Sequence, residues 1–321
     1  MKKKEKRNIL ILIIISVLII LAEFAYIQNK QNITEEDLIN NENLLGITDV
    51  SGEGIIINIK DGNDLIHQED IVILLDELKN SGAEAISVNE QRVVKNTYIY
   101  CDGSVILIDG VKIGNPFVIK AIGDSDTIYG AIMRNKGYIS TLTRDGIEIN
   151  VEKSDNVEIK KTNKNLVGNL LDNDNLRKKV KITDKLIGKT DVVGNGVEIK
   201  IDTSNTSDIT AITLLQLIND LNSAGAEAIS INDNRIVSMT DLMDINKEYI
   251  LVDSNCVSSP YVIKAIGNIS KLKETMNLEN STIEKLKRNG KNISEKYKLI
   301  VKVPQYTVKR GQNKLMQKYV K

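Results

Sequence analysis

The string SGAEAISVNEQR, Ser81–Arg92, returns 143 residues later as AGAEAISINDNR, Ala224–Arg235. A self-match of this length marks a tandem duplication, and a repeat has to be recognised before any segment is assigned. With 321 residues, the chain has room for about two domains of ordinary size, each with its own core. The duplication also supplies an internal comparison, because side chains written twice are those the unit keeps when it is built a second time.

The first copy opens at Gly46 as GITDVSGEGIIINIKD and the second at Gly188 as GKTDVVGNGVEIKID. In each, a Gly-x-Gly precedes an apolar-rich segment, Ile55–Ile59 or Val197–Ile201, which reads as a strand. Ile71, Leu74, Leu75 and Leu78 then follow helical spacing, matched by Leu214, Leu217, Ile218 and Leu221. Gly82 and Gly225 stop these helices, since glycine takes up the left-handed conformation without a Cβ clash. The repeated string itself predicts a hairpin with Asn89-Glu90 as its two-residue loop, so that Ser87 faces Arg92 and Ile86 faces Val93. One hairpin face is then Ile86, Val88 and Val93 and the other is Ser87 and Arg92, repeated as Ile229, Ile231 and Ile236 against Ser230 and Arg235.

Short strands follow in TYIYCD, SVILIDG and PFVIKAIG, the last written again as PYVIKAIG, with Pro116 and Pro260 as strand starts. A second helix is expected over about Asp126–Asn135 and Ser270–Met276, and a closing edge strand over Gly146–Val151 and Tyr297–Val303. Strand, helix, strands, helix, strand in about a hundred residues is the order of an α+β plait, with both helices on one face of a mainly antiparallel sheet. The expected layout is a first plait domain over residues 46–160, a helical connector over 161–187, a second domain over 188–310 and a C-terminal tail over 311–321.

Residues 1–7 carry five basic side chains and precede the apolar run Asn8–Ile27, broken only by Ser16 and Glu23. Roughly 20 apolar residues cross a bilayer as one helix. A cleavable signal peptide usually has a shorter apolar region and ends at a small-x-small site. The flank AEFAYIQ has no convincing site of that kind, so an uncleaved signal anchor is expected. The basic residues before it place the N-terminus in the cytoplasm and the bulk of the chain outside the membrane. Residues 28–45 read as a polar, Asn-rich stalk.

Lys+Arg and Asp+Glu balance at 43 each, so the chain lacks the basic field that holds a protein on nucleic acid, and no nucleic-acid partner is expected. Cys101 and Cys256 sit at non-equivalent places, and the sole histidine, His67, falls opposite Thr210. Neither a disulfide framework nor a metal site is suggested, and no cofactor is expected. The motifs GxxxxGK[ST], GxSxG, HExxH and CxxC are all missing. Polar groups kept in both copies are therefore the candidates for a site. The binding candidates are Glu84, Ser87, Arg92, Thr97 and Lys120, with their counterparts Glu227, Ser230, Arg235, Thr240 and Lys264. Two readings stand for them. In one, Glu84 and Arg92 make ion pairs or backbone bonds at the helix-to-hairpin junction. In the other, Ser87, Arg92 and Thr97 line the helix-free face of the sheet and take an anionic group or a partner strand. Nucleophilic catalysis needs a base beside Ser or Thr, and the copies share no histidine, so no catalytic role is expected.

The strings Gly-x-Thr-Asp-Val-x-Gly-x-Gly, AGAEAIS-[Ile/Val]-Asn-x-x-Arg and Pro-[Phe/Tyr]-Val-Ile-Lys-Ala-Ile-Gly resemble those of the bacterial domain-of-unknown-function 881 family. The resemblance covers about Gly46–Val151 and Gly188–Val303. It implies a membrane helix, an extracytoplasmic ferredoxin-like domain present here twice, and a loose connection to cell division or sporulation, and it carries no catalytic residues. Protein partners in the cell envelope follow from it as an expectation. Glu53 and Asn195 stand where the family often has proline, and the long coiled coil that often follows the anchor is missing.

Overall fold

The computed structural model describes residues 11–23, 34–62, 66–103, 105–166, 175–203 and 209–307. Residues 11–23 form a helix, α1. The first unit continues with α2 (Glu35–Leu45), β1 (Val50–Lys60), α3 (Gln68–Asn80), β2 (Ala85–Val88) and β3 (Gln91–Arg92). Next come β4 (Ile99–Asp102), β5 (Val105–Ile108), β6 (Val111–Ile113) and β7 (Phe117–Ile122), then α4 (Ser125–Ile132), α5 (Tyr138–Arg144) and β8 (Glu148–Ile159). The second unit repeats this as α6 (Leu176–Leu186), β9 (Val192–Asp202), α7 (Ala211–Ser223), β10 (Ala228–Ile231), β11 (Asn234–Ile236), β12 (Leu242–Asp244), β13 (Tyr249–Val252), β14 (Asn255–Ser258), β15 (Tyr261–Ile266), α8 (Ile269–Met276), α9 (Thr282–Arg288) and β16 (Asn292–Val303).

Each unit is α+β, with a five-stranded antiparallel sheet, β3-β2-β7-β1-β8 or β11-β10-β15-β9-β16, and a three-stranded sheet beside it. Period-two alternation decides which face is buried: Ile55, Ile57 and Ile59 are fully enclosed with Ile71, Leu74 and Leu78 of α3, whereas Ile56 turns to the opposite face. The hairpin register is the expected one, Ser87 opposite Arg92 and Ser230 opposite Arg235. Its loop residues Asn89, Glu90, Asn232 and Asp233 all have positive φ, the geometry of a type I′ turn.

Three features depart from the sequence reading. The closing strands are longer than expected: β8 continues through the polar run Glu152–Asn156 to Ile159, and β16 begins already at Asn292, with Ile293 as the one apolar residue before Tyr297. Helices α5 and α9 were not anticipated, since seven residues span two turns, too few for a periodicity to show. The face opposite α3 is also covered: Leu44 of α2 packs on Val50, Ala85, Ile122, Val157 and Ile159. Thus α2 and α6, in stretches expected to be stalk and connector, are each the opening element of a unit. Their charges are complementary, with Glu35, Glu36, Asp37 and Glu42 on α2 and Arg177, Lys178, Lys179, Lys181 and Lys185 on α6.

The two units pack as an internal pair about a pseudo-two-fold axis. Asn41 and Thr183 are equivalent positions, both fully buried, and they hydrogen-bond each other at 2.8 Å where α2 crosses α6. Asp76 and Asn219 are equivalent, as are Ile99 and Leu242, at the offset of 143 that separates Arg92 from Arg235. The Leu242 amide donates to Asp76 Oδ1 at 3.0 Å, and reciprocally the Ile99 amide donates to Asn219 Oδ1 at 2.7 Å. Contacts of i with j and j with i define an isologous interface. Asn219 Nδ2 also donates to the Ile99 carbonyl at 2.7 Å. Asn219→Ala orphans both backbone groups, so it is expected to cost about 2–4 kcal/mol and to split one urea transition into two. A single unshifted transition in the variant would contradict this.

Among the described residues no helix is long and apolar enough to cross a membrane. The side chains of Ile11–Ile15 and Val17–Leu21 on α1 are exposed. The rest of the expected span, residues 8–10 and 24–27, lies outside the described residues, as do residues 1–7, 167–174 of the connector and 308–321.

Candidate functional site

The polar groups written twice do not gather in one cleft; several are joined to backbone. Arg92 and Arg235 are 4 % and 2 % exposed. Arg235 donates to the Lys185 carbonyl at the end of α6 (3.3 Å) and to the Pro304 carbonyl beyond β16 (3.2 Å). Burial pulls both guanidinium groups down to about 10, and the charges of Asp49 and Asp191 oppose that shift. These aspartates, from the repeated Thr-Asp-Val string, accept the Lys161 and Gln305 amides at 2.8 Å and so fasten the chain after each closing strand. Ser87 and Ser230 are enclosed, and among the described residues their hydroxyls have no hydrogen-bond partner. Ser87 and Arg92 therefore lie on the sheet face opposite α3, as the alternation demands, and the chain around α2 closes that face.

The remaining candidates divide. Thr97 Oγ1 accepts the Val94 amide (2.9 Å) and donates to Asp109 (3.1 Å), and Thr240 Oγ1 accepts the Val237 amide (3.0 Å), so both threonines hold the turn after the hairpin. Lys120 pairs with Glu90, and Lys264 with Asp233 at 2.6 Å. Glu84 is half-buried and Glu227 exposed. Asn89 and Asn232 act as clamps: each accepts from the first part of the neighbouring strand, Val118 or Val262, at 2.7 Å. Each also donates to the carbonyl of Pro116 or Pro260, beside a cis peptide bond. His67 and Thr210, mismatched in chemistry, occupy the same N-cap position of α3 and α7.

Sequence comparison missed Asp76, Lys95, Asn219 and Ser238, at which the copies differ. A cavity of about 60 Å³ sits on the pseudo-two-fold axis, and every side chain lining it in one unit is met by its equivalent from the other. Three of the polar pairs there are Asp76 with Asn219, Lys95 with Ser238, and Thr97 with Thr240. Burial, reinforced by Arg235, pulls the Lys95 ammonium down to about 8, with Glu227 opposing. The volume suits a few water molecules. A second hollow of about 310 Å³ lies in the first unit between Ile66, Ile106, Ile113 and Phe117, with Asp61 and Lys112 at its edge.

A titratable difference stands nearby. In the first unit Asp109 is paired with Lys164 at 2.5 Å. In the second, Tyr306 stands where the first has Lys164, and burial pushes the Asp253 carboxyl up to about 6, with the Tyr306 and Thr240 hydroxyls and the charge of Lys79 opposing. An unfolded aspartate titrates near 3.9. The native state therefore binds the extra proton between about pH 4 and 6, and the cost of the buried charge is complete above that window. Asp253→Asn is expected to gain about 1–3 kcal/mol at pH 8 and little at pH 4. Urea unfolding of both proteins at the two pH values measures this, and an equal effect at both would contradict it.

The fold and its retained groups define a duplicated α+β protein whose shared polar side chains tie elements together. Residues 37–169 and 179–317 match the family described as Bacterial protein of unknown function (DUF881), and the chain belongs to that family. Among curated relatives, it is 34 % identical over 126 residues to UPF0749 protein YlxW of Bacillus subtilis, covering 36 % of this chain and 54 % of that one. It is 27 % identical over 146 residues to UPF0749 protein YlxX of the same organism, covering 41 % and 62 %. The chain thus spans only about half the length of the curated relatives it matches. A crystal structure of an uncharacterized conserved protein from Mycobacterium tuberculosis is 27 % identical, with a TM-score of 0.38 over 40 % of this chain and 92 % of that one.

Proposed function

We propose that this chain is a non-enzymatic single-pass membrane protein that holds two fused α/β plait domains outside the membrane as an interaction module of the cell envelope. The observation that carries this reading is the use to which the duplicated polar groups are put. Arg235 joins α6 to the segment after β16, Asp49 and Asp191 fasten the chain ends, and Asn89 and Asn232 clamp strands. Much of what the unit keeps when built twice is its framework. The strand order β8-β1-β7-β2, antiparallel throughout, supports the ferredoxin-like plait. The apolar run Asn8–Ile27 behind five basic residues supports the anchor and its orientation.

Photo-crosslinking of the full chain in native envelope membranes tests the reading. Probes placed at exposed positions of both units, such as Tyr100 and Met243, are expected to capture a discrete protein partner. Capture of nothing beyond the chain itself, from probes spread over the whole surface, would reject an interaction module. The 310 Å³ hollow favours a second reading, a small-ligand or peptidoglycan-fragment binding unit, because its volume is at the lower end of ligand pockets. Soluble muropeptides should then raise the melting temperature of the full chain, and Ile106→Asp should remove that rise.

A further inference from the structure

The closing strands of both units carry a bulge at the same place, opposite the Gly-x-Gly: between Ser154 and Val157 in β8, and between Lys298 and Val301 in β16. In each bulge two residues stand opposite one, and the ladder pairing is interrupted there. In the first unit these residues are Asp155 and Asn156, and the strand beside them contributes Ser51. In the second they are Leu299 and Ile300, 82 % and 75 % exposed, beside Val193 at 62 %. These are the two most exposed large apolar side chains among the described residues, on a rigid strand where the sister unit has polar groups.

Their place in the molecule is set by the antiparallel crossing of α2 and α6. Asn41 meets Thr183 on the axis, the charge of Lys189 acts on Asp37 near the start of α2, and that of Lys179 acts on Glu42 near its end. The start of α2 therefore lies beside the end of α6, and from there Lys189 leads within four residues to Val193, whose partner across the ladder is Lys302. By the same symmetry the Asp155–Asn156 bulge lies at the other end of the helix pair. The chain enters α2 from the apolar run Asn8–Ile27, and the eight steps from Ile27 to Glu35 reach at most about 30 Å. The apolar bulge is thus at the end of the helix pair where the chain arrives from the apolar run, and the polar bulge at the opposite end.

We infer that the Leu299–Ile300 bulge inserts into the lipid surface around the anchor, giving the paired units a second, fixed contact with the bilayer. This rests on the membrane-anchor reading of Asn8–Ile27. The driving term is burial of apolar side chains at the headgroup boundary, the mode by which interfacial segments bind. Lys296 is exposed, and Lys298 and Lys302 flank the bulge while paired with Glu198 at 2.8 Å and Asp191 at 2.7 Å, so an aliphatic knob is rimmed by cations that can stay in the headgroups. Glu35, Glu36 and Asp37 stand at the same end, and for this reason the contact depends on the apolar pair and not on net charge.

The test uses the full chain reconstituted in phosphatidylcholine–phosphatidylglycerol vesicles, in a Cys101→Ser, Cys256→Ser background, with a fluorophore on Leu299→Cys or on Asp155→Cys. Both sites are exposed, so labelling leaves the fold intact. Brominated acyl chains are expected to quench the label at 299 several-fold more than the label at 155, and aqueous iodide the reverse. Equal iodide quenching at both sites, in a chain that stays in the vesicles after an alkaline wash, overturns the bulge contact and leaves the anchor standing. Release of the chain by that wash overturns both. A label at 299 shielded from iodide yet untouched by brominated lipid overturns the lipid contact in favour of a protein neighbour.

Discussion

Gly54→Ala is expected to prevent the first unit from folding, and Gly196→Ala to do the same to the second. A Cβ at Gly54 would stand 2.0 Å from the Ala121 carbonyl oxygen, and one at Gly196 would stand 1.9 Å from that of Ala265. Both obstacles are backbone in the middle of a sheet, held by the β1–β7 and β9–β15 ladders, so neither can swing aside as a side chain would. Relief requires separating two central strands, which places the cost beyond the roughly 1–3 kcal/mol of ordinary overpacking and near or above 4–5 kcal/mol. The expected result is loss of about half of the native circular dichroism signal with a urea transition remaining for the other unit. A variant with the parent's urea midpoint would show that the strands do not approach so closely. Gly82→Ala is a fitting control, since its Cβ meets nothing within 4 Å and only its positive φ of 92° is strained.

Arg235→Ala is expected to be the most damaging change among the polar residues, at about 3–5 kcal/mol. It would leave the Pro304 carbonyl without its donor and the Lys185 carbonyl with only the Gly188 amide, in a site 2 % exposed, and would remove the charge facing Asp191. Arg235→Lys should recover little, because a single nitrogen lacks the two spaced nitrogens with which the guanidinium reaches the two carbonyls. Equilibrium urea unfolding checks both variants. A loss under about 1 kcal/mol for Arg235→Ala would mean that the guanidinium is free to serve a ligand.

The framework of each unit was legible because its signals are local. Leu74 and Leu78 mark α3 by spacing, Asn89 and Glu90 mark a tight turn, and twin strings mark twin folds. The sequence pointed to Ser87 and Arg92 on a common face, and that is where they lie, but nothing local indicates that a helix 40 residues upstream would close the face. Helix α2 is polar and Asn-rich because Asn41 and Asn43, both buried, do their work against α6 and the following turn. A stretch built to pack through amides has no apolar stripe to detect. The inter-unit contacts were hidden for a related reason: Asp76 and Asn219 look like solvated helix residues until the partner unit brings an orphan amide to each. Retained residues revealed the scaffold, while the differences between copies, Leu299 for Asp155 and Tyr306 in the role of Lys164, mark what the two halves no longer share.

Fusing the two units on one chain also changes what can regulate them. A pair formed by separate subunits dissociates on dilution, so its amount follows the square of expression level. Here the partner of α3 and β4 is tethered through residues 160–175, and a short tether holds two modules at an effective concentration in the millimolar range. The assembled form is therefore present from the first molecule made, at any copy number, and its stoichiometry cannot be altered by a competing monomer.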